Sequence, residues 1–379
     1  MKNIKITAIL LTAVLLAVCL APAALAAASA EPEALDPAEL FTDRDLAQTP
    51  DLTEAVYLTA QDGQDITVAD EGVYVLSGTA ADVTVLVEAE DSDKVQLVLD
   101  GLYLTNTDAP CIYVKAADKV FVTTAGDSAL AVTGEFVPDG ETNTDGVIFS
   151  RSDLVLNGTA KLTVSSTENG VVCKDDLKLT GGTYEISAAS KTFEANDSIR
   201  VSGGVYTLNA GTDALHAENS SDDTLGYIYI GGGEFTIASG DDGVHATSLV
   251  QIDDGSLAIS AAEGIEGTYI QINGGTVNIY SWDDGINGAQ KSSAYWPTVE
   301  INGGYLTVVM AAGDTDAVDC NGNLIINGGT VDVTGSSAFD YDGTGQYNGG
   351  TLIVNGQQLS ALPNQMGMGG RGGHAGRWG

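Results

Sequence analysis

IQINGGTVNIY, residues 270–280, decides the fold. Apolar and polar residues alternate from Ile270 to Ile272, an Asn-Gly-Gly corner follows, and alternation resumes from Thr276 to Tyr280. A period of two is the signature of a strand with one buried face. The glycines supply the positive-φ turn that a tight corner needs.

The same pattern recurs on both sides of this segment. It reads LVLNGTAKLTV from Leu154, LKLTGGTYEIS from Leu177, IRVSGGVYTLN from Ile199 and IYIGGGEFTIA from Ile228. It continues as VQIDDGSLAIS from Val250, VEINGGYLTVV from Val299, LIINGGTVDVT from Leu324 and a shortened YNGGTLIVN from Tyr347. The second corner glycines, Gly158 through Gly350, lie 20–29 residues apart. A fixed corner with variable spacing places insertions at one point of each repeat, as loops on one face of a stack. Aliphatic runs at 73–76, 83–87, 95–99 and 120–123 extend the pattern toward the N-terminus. The expected fold is therefore all-β: a single-stranded right-handed parallel β-helix (solenoid) of about a dozen rungs. A propeller needs about 40 residues per blade, and the repeats do not alternate in two types. The nine-residue calcium solenoid has less than half this period.

The ends of the chain read differently. Lys2 and Lys5, an apolar run from Ile6 to Leu20 and the small residues Ala24-Leu25-Ala26 have the layout of a secretory signal peptide over 1–26. The run is shorter than a membrane span of about 20 residues. Lipid attachment at Cys19 is the lesser alternative, because Val18 precedes it. Residues 27–50, rich in Ala, Pro and acid, read as a linker. The β domain is expected over 51–358, and 359–379 as a flexible Gly-rich tail. The expected location is secreted or on the cell surface, with no stable membrane insertion after the signal is removed. Oligomeric state is left open. Cys111, Cys173 and Cys320 are too few and too scattered for a disulfide framework and read as small buried hydrophobes.

The chain carries 52 acidic and 15 basic residues, a net charge of −37. Nucleic acid is excluded as a partner, since phosphates require a basic face. Cations are favoured.

A second motif recurs about nine residues beyond each corner: an acid, Gly or Ala, an apolar residue, then a polar residue. It occurs at Asp213-Ala-Leu-His216, Asp242-Gly-Val-His245, Glu263-Gly-Ile-Glu266, Asp284-Gly-Ile-Asn287 and Asp316-Ala-Val-Asp319. Looser copies are Lys191-Thr-Phe-Glu194 and Ser337-Ala-Phe-Asp340, and Asp241, Asp283 and Asp314 add acids just ahead. Stacked at about 4.8 Å, the motif makes two ladders, Lys191–Asp213–Asp242–Glu263–Asp284–Asp316 and Glu194–His216–His245–Glu266–Asn287–Asp319–Asp340. Adjacent carboxylates at that spacing repel by about 3–4 kcal/mol at an effective dielectric of 20. Raised pKa values or bound cations must offset this. Oxygen donors in clusters suit Ca²⁺, with Asp242/Glu263/Asp284 and Glu266/Asn287/Asp319 as the candidate groups. The competing reading is that Asp-Gly and Glu-Gly are ordinary turn residues repeated by duplication. His216 and His245 in adjacent rungs hint at Zn²⁺, but two histidines alone read as surface stacking.

Trp282 and the loop 289–297, which contains Lys291, Tyr295 and Trp296, are the candidate sugar-binding residues, because aromatic faces stack on sugar rings; the competing reading is that Trp282 and Trp296 pack against the loop. No nucleophile elbow is present. Lys174, Lys178, Lys191 and Arg200, candidates for a lyase base, all lie outside the densest acidic rungs.

The Gly-Gly corners, LDGLYLTN at 99–106, and the DDGV and DDGI of residues 241–244 and 283–286 are similar to the secreted carbohydrate-binding β-helix proteins of cellulolytic clostridia. The resemblance covers about Val56 to Val354. It implies a pectate-lyase-like fold, bound calcium, and binding of cellulose and acidic sugars such as polygalacturonate without established lyase activity. It also implies Asp241, Asp242, Asp283 and Asp284 as calcium candidates. The rungs with Lys191 and Ser337 depart from the acidic pattern. The expected function is a secreted, calcium-dependent carbohydrate-binding protein for acidic or plant cell-wall polysaccharide. The alternatives are a calcium-dependent polysaccharide lyase and a cell-surface adhesin.

Overall fold

The computed structural model describes residues 35–313 and 315–363. The stretch read as a signal peptide, with Cys19, and also Asp314 and the residues from Asn364 onward lie outside the described residues.

Successive repeats pair in parallel and in register. Ile270 lies opposite Val299, which lies opposite Leu324. Val277 likewise faces Leu306, and Leu306 faces Val331. The antiparallel exceptions are the pair Thr351–Val354 with Gln357–Leu359 and the isolated bridge Gln61–Gln64.

The sequence placed a strand, a corner and a second strand in each repeat. Most corners behave so, but in Lys94–Asn106, Tyr227–Ser239 and Leu249–Ala261 the extended backbone runs straight through. The register shifts around Gly231, and Gly233 sits at φ 99°, so the glycines act there as a bulge within a strand. Each long strand consequently bonds to both limbs of its neighbour.

This overturns the expected single-stranded right-handed solenoid. Lys94–Asn106 pairs with both Lys119–Thr124 and Ser128–Val132. Tyr227–Ser239 pairs with both Ser198–Val201 and Val205–Ala210. The two long strands thereby close a circuit of ten parallel strands, a barrel in its connectivity. Beside it runs a separate parallel sheet of 12 strands, from Ile66–Val68 to Ser337–Tyr341. All-β stands; the architecture is a closed barrel plus an adjacent sheet. Alternation alone does not distinguish a corner that ends a strand from one that bulges within it.

One apolar core fills the space between the sheets. Ile270, Val299 and Leu324 contribute from one side and Ile265, Ile286 and Val318 from the other, all fully buried. Tyr206 stacks between Tyr184 and Phe235 in this core, with centroids 5.4 and 4.5 Å away. Cys111, Cys173 and Cys320 are buried free thiols, and burial pushes Cys111 up to about 12.

The 12-stranded sheet carries the acid motif, and its glycines explain why the motif has the form acid-Gly-apolar. A Cβ at Gly264 would lie 2.4 Å from the Gly285 carbonyl oxygen and 2.5 Å from Ile279. A Cβ at Gly285 would lie 2.3 Å from Val308. The small residue lets this sheet approach the opposite one and neighbouring turns approach each other.

Residues 37–46, within the stretch read as a linker, form two helices of four residues each, Pro37–Leu40 and Asp43–Leu46, too short to show a period. They dock on the large sheet. Asp45 is fully buried, 2.9 Å from Lys178 and 3.7 Å from Lys119. Arg44 stacks on Phe121, and Gln251 accepts the Leu35 N–H.

Candidate functional site

The ladders form as the motif spacing requires. Along the 12-stranded sheet, Glu194 faces His216, then come His245, Glu266, Asn287, Asp319 and Asp340, each opposite the next. In the other ladder, Asp242 faces Glu263 and Asp316 faces Ser337. Backbone bonds continue it: the Asp242 N–H donates to Asp213 Oδ1 at 3.1 Å, and the Asp316 N–H to Asp284 Oδ1 at 3.2 Å.

Side chains cross-link the two ladders at their centre. His245 Nδ1 lies 2.6 Å from Asp242 Oδ2 and 2.8 Å from Glu266 Oε2. Asn287 Nδ2 donates to Glu263 at 2.8 Å and to Glu266 Oε1 at 3.2 Å. Lys291 Nζ reaches Glu266 Oε1 at 2.8 Å. One rung earlier His216 bonds Asp213 at 2.8 Å, and the two imidazoles stack at 4.5 Å and 15°.

The electrostatics divide this row. Burial works against the charge on Glu266, but bonds and charge from His245 and Lys291 outweigh it and hold the carboxyl below its ordinary range. Burial also opposes the charge on His245, yet Asp242 and Glu266 raise it to about 10. Asp213 is held low by His216 against the same burial. Burial pushes Asp242 up. Further along, burial and then the Glu266 charge raise Glu263 to about 8. Asp284 is raised to about 6, chiefly by burial. Burial, followed by the charges of Asp284, Asp316, Asp340 and Asp342, raises Asp319 to about 7. Among the described residues no Lys, Arg or His lies within ion-pair distance of Glu263, Asp284 or Asp319. Asp241 and Asp283 are exposed at the edge of the row.

Loop 289–297 stands over the ladder. Its Lys291 and Ser292 N–H groups donate to Thr268 Oγ1 at 2.9 and 2.8 Å. Ser292 and Ser293 bond to Asp223 of a second loop. Between the loops lies a pocket of about 490 Å³ that includes Lys291, Tyr295 and Trp296. Trp296 is 51% exposed, and Tyr295 meets Tyr269 edge to face at 6.2 Å. Three of the four expected sugar-binding residues thus share one pocket. Trp282 does not line it; it is exposed just before Asp283.

The motif and the ladder order put His245 three residues after Asp242 and beside Glu266, and it bonds both. One feature went unread in the sequence. Lys291 reaches the densest acidic rung, which no sequence spacing signals, because a loop carries it there.

A family model described as "Carbohydrate-binding domain-containing protein" matches residues 62–317. The chain belongs to this family. A carbohydrate-binding domain-containing protein of Acetivibrio thermocellus is 33% identical over 130 residues, 33% of this chain. The chain spans 46% of that relative's length. A solved structure described as a polysaccharide lyase-like protein from C. thermocellum, gadolinium derivative, superposes with TM-score 0.53 at 28% identity. That match covers 59% of this chain and 96% of the neighbour. Family membership supports a carbohydrate-related role. Among the described residues no helix is long and apolar enough to cross a membrane.

Proposed function

We propose that this is a secreted, calcium-dependent carbohydrate-binding protein that holds acidic plant cell-wall polysaccharide of the polygalacturonate type. The observation that carries the reading is the row of mutually repelling carboxylates from Glu263 to Asp319, beside a pocket with a cation and an exposed indole. The donor set fits Ca²⁺: Glu263, Asp284, Asp316 and Asp319 offer oxygen only, in neighbouring turns. Asp213, Asp241, Asp242, Glu266, Asp283 and Asn287 extend the row on either side, and Asp314 adjoins it in sequence. The solved neighbour's gadolinium, like calcium, is a hard cation that seeks oxygen.

Ca²⁺, when bound, supplies the positive charge that joins a sugar carboxylate to an acidic protein. The chain's own residues do the rest. Lys291 offers a charge-assisted hydrogen bond to a uronate, and the Trp296 and Tyr295 faces stack on pyranose rings. Trp282 offers a further exposed aromatic face.

A lyase reading has Lys291 in its favour, since a base must stand near the cation. Burial would lower its pKa, but Glu266 outweighs burial and raises it. The amine therefore stays protonated at neutral pH and is a poor base. Binding without cleavage is the better reading.

Affinity electrophoresis of the mature protein in gels containing polygalacturonate tests this. Retardation with Ca²⁺ that disappears with EDTA is expected. Equal mobility in all gels, or retardation indifferent to EDTA, contradicts it.

A further inference from the structure

The centre of the ladder is chemically unlike its flank, because it contains a nitrogen. We infer that Asp242, His245 and Glu266 form a binding site for one first-row divalent transition-metal ion, of the Zn²⁺ or Co²⁺ class, distinct from the oxygen-only row that follows.

Three donor atoms converge there. Nδ1 of His245 stands 2.6 Å from Asp242 Oδ2 and 2.8 Å from Glu266 Oε2, and one atom from each residue lies within 4.8 Å of the others. A ring nitrogen carries at most one proton, yet two carboxylate oxygens point at it. A metal ion at about 2.0–2.2 Å from each donor uses all three. In a tetrahedral site bonds of that length put ligand atoms about 3.3–3.4 Å apart, so insertion opens the two His245 contacts by roughly 0.5–0.8 Å.

The surroundings orient these ligands as outer partners do in metal sites. Lys291 and Asn287 both hold Oε1 of Glu266, which leaves Oε2 directed at His245. The His245 ring is fixed in plane by His216 stacked at 4.5 Å. His245 and Asp242 are three residues apart on one strand, and Glu266 faces His245 from the next. Imidazole is a good ligand for Zn²⁺ and its neighbours and a poor one for Ca²⁺, which takes oxygen. A site of this composition discriminates between the two.

The inference does not rest on the carbohydrate-binding reading. The metal-free full chain is titrated with Co²⁺ in the presence of excess Ca²⁺ and followed by visible absorption. The expected result is one equivalent bound, with a ligand-field band distinct from that of the aqueous ion and erased by Zn²⁺. His245→Gln and Asp242→Asn should each weaken binding by about tenfold or more, whereas His374→Gln should leave the band in place. Circular dichroism of each variant verifies the fold. A spectrum that stays that of the aqueous ion in the folded wild type overturns the inference, as does a band that survives His245→Gln. Polygalacturonate retardation is scored separately. Loss of the Co²⁺ result with Ca²⁺-dependent retardation intact removes this site and leaves the proposed function standing, and the converse does the reverse.

Discussion

Glu194 and Asp319 occupy the same ladder, five steps apart, and live in opposite electrostatic worlds. Glu194 is clamped between Lys174 at 2.9 Å and Lys191 at 3.2 Å. Burial opposes its charge, but the two lysines outweigh burial and hold it below its ordinary range. Asp319 lies between Asn287 and Asp340 and is raised to about 7, first by burial and then by the neighbouring aspartates. The early turns supply their own counter-ions, and Arg200 on Asp176 at 2.6 Å and Lys178 on Asp45 repeat the theme on the large sheet. In the later turns Glu263, Asp284 and Asp319 have no cation within ion-pair distance among the described residues. A repeat fixes where a carboxylate stands; the residues around it decide whether the protein or a bound ion neutralises it.

The largest effect is expected where an internal counter-ion is removed. The double substitution Lys174→Met/Lys191→Met leaves Glu194 mostly buried and unpaired. It should destabilise the protein by about 2–3 kcal/mol in chemical denaturation, below the range for fully buried pairs because these side chains are partly exposed. A loss under about 0.5 kcal/mol would mean the clamp is only a surface pair.

The two regions should also respond to pH with opposite sign. Glu194 is depressed in the folded state, so its contribution is present above the ordinary carboxylate range and fades as acid protonates it. Glu263 and Asp319 are raised to about 8 and about 7, so the folded state binds more protons than the unfolded chain between roughly pH 4 and 8. Stability from the later turns therefore falls as pH rises through that window. Melting temperature in EDTA should decline from pH 5.5 to 8, and Ca²⁺ should flatten the decline. A flat profile in EDTA contradicts the division.

Removing one charge from the later row should help in the absence of metal. Asp319→Asn is expected to stabilise the chelated protein at pH 8 by about 1–3 kcal/mol, between the repulsion of one adjacent pair in bulk water and at an effective dielectric of 20, and to weaken the stabilisation by Ca²⁺. Destabilisation in EDTA would show that Asp319 is satisfied by contacts within the protein. The smallest effect is expected at the pocket. Trp296→Ala should weaken glycan binding by about fivefold, near 1 kcal/mol, without moving the melting temperature.

Much of the ladder was legible because it depends on two simple facts, a strand's period of two and the stacking of repeats. The order Glu194, His216, His245, Glu266, Asn287, Asp319, Asp340 follows from spacing alone and is the order observed. The architecture was less legible. Whether Gly101 and Gly231 end a strand or bulge within one depends on neighbouring turns, and that choice joins the limbs into a closed circuit. Nor does pairing follow from spacing. Lys291 is 25 residues from Glu266 and reaches it from a loop anchored on Thr268, and Asp45 finds Lys178 across 133 residues. Long-range ion pairs leave no periodic trace.

The most direct test of the account is a calorimetric titration of the metal-free chain with Ca²⁺, run beside Asp284→Asn/Asp319→Asn, with melting temperature recorded at each end point. The account predicts saturable heat and a rise in melting temperature for the wild type, both lost or strongly reduced in the double variant. No heat and no thermal shift in the folded wild type, or identical curves for both proteins, would contradict it.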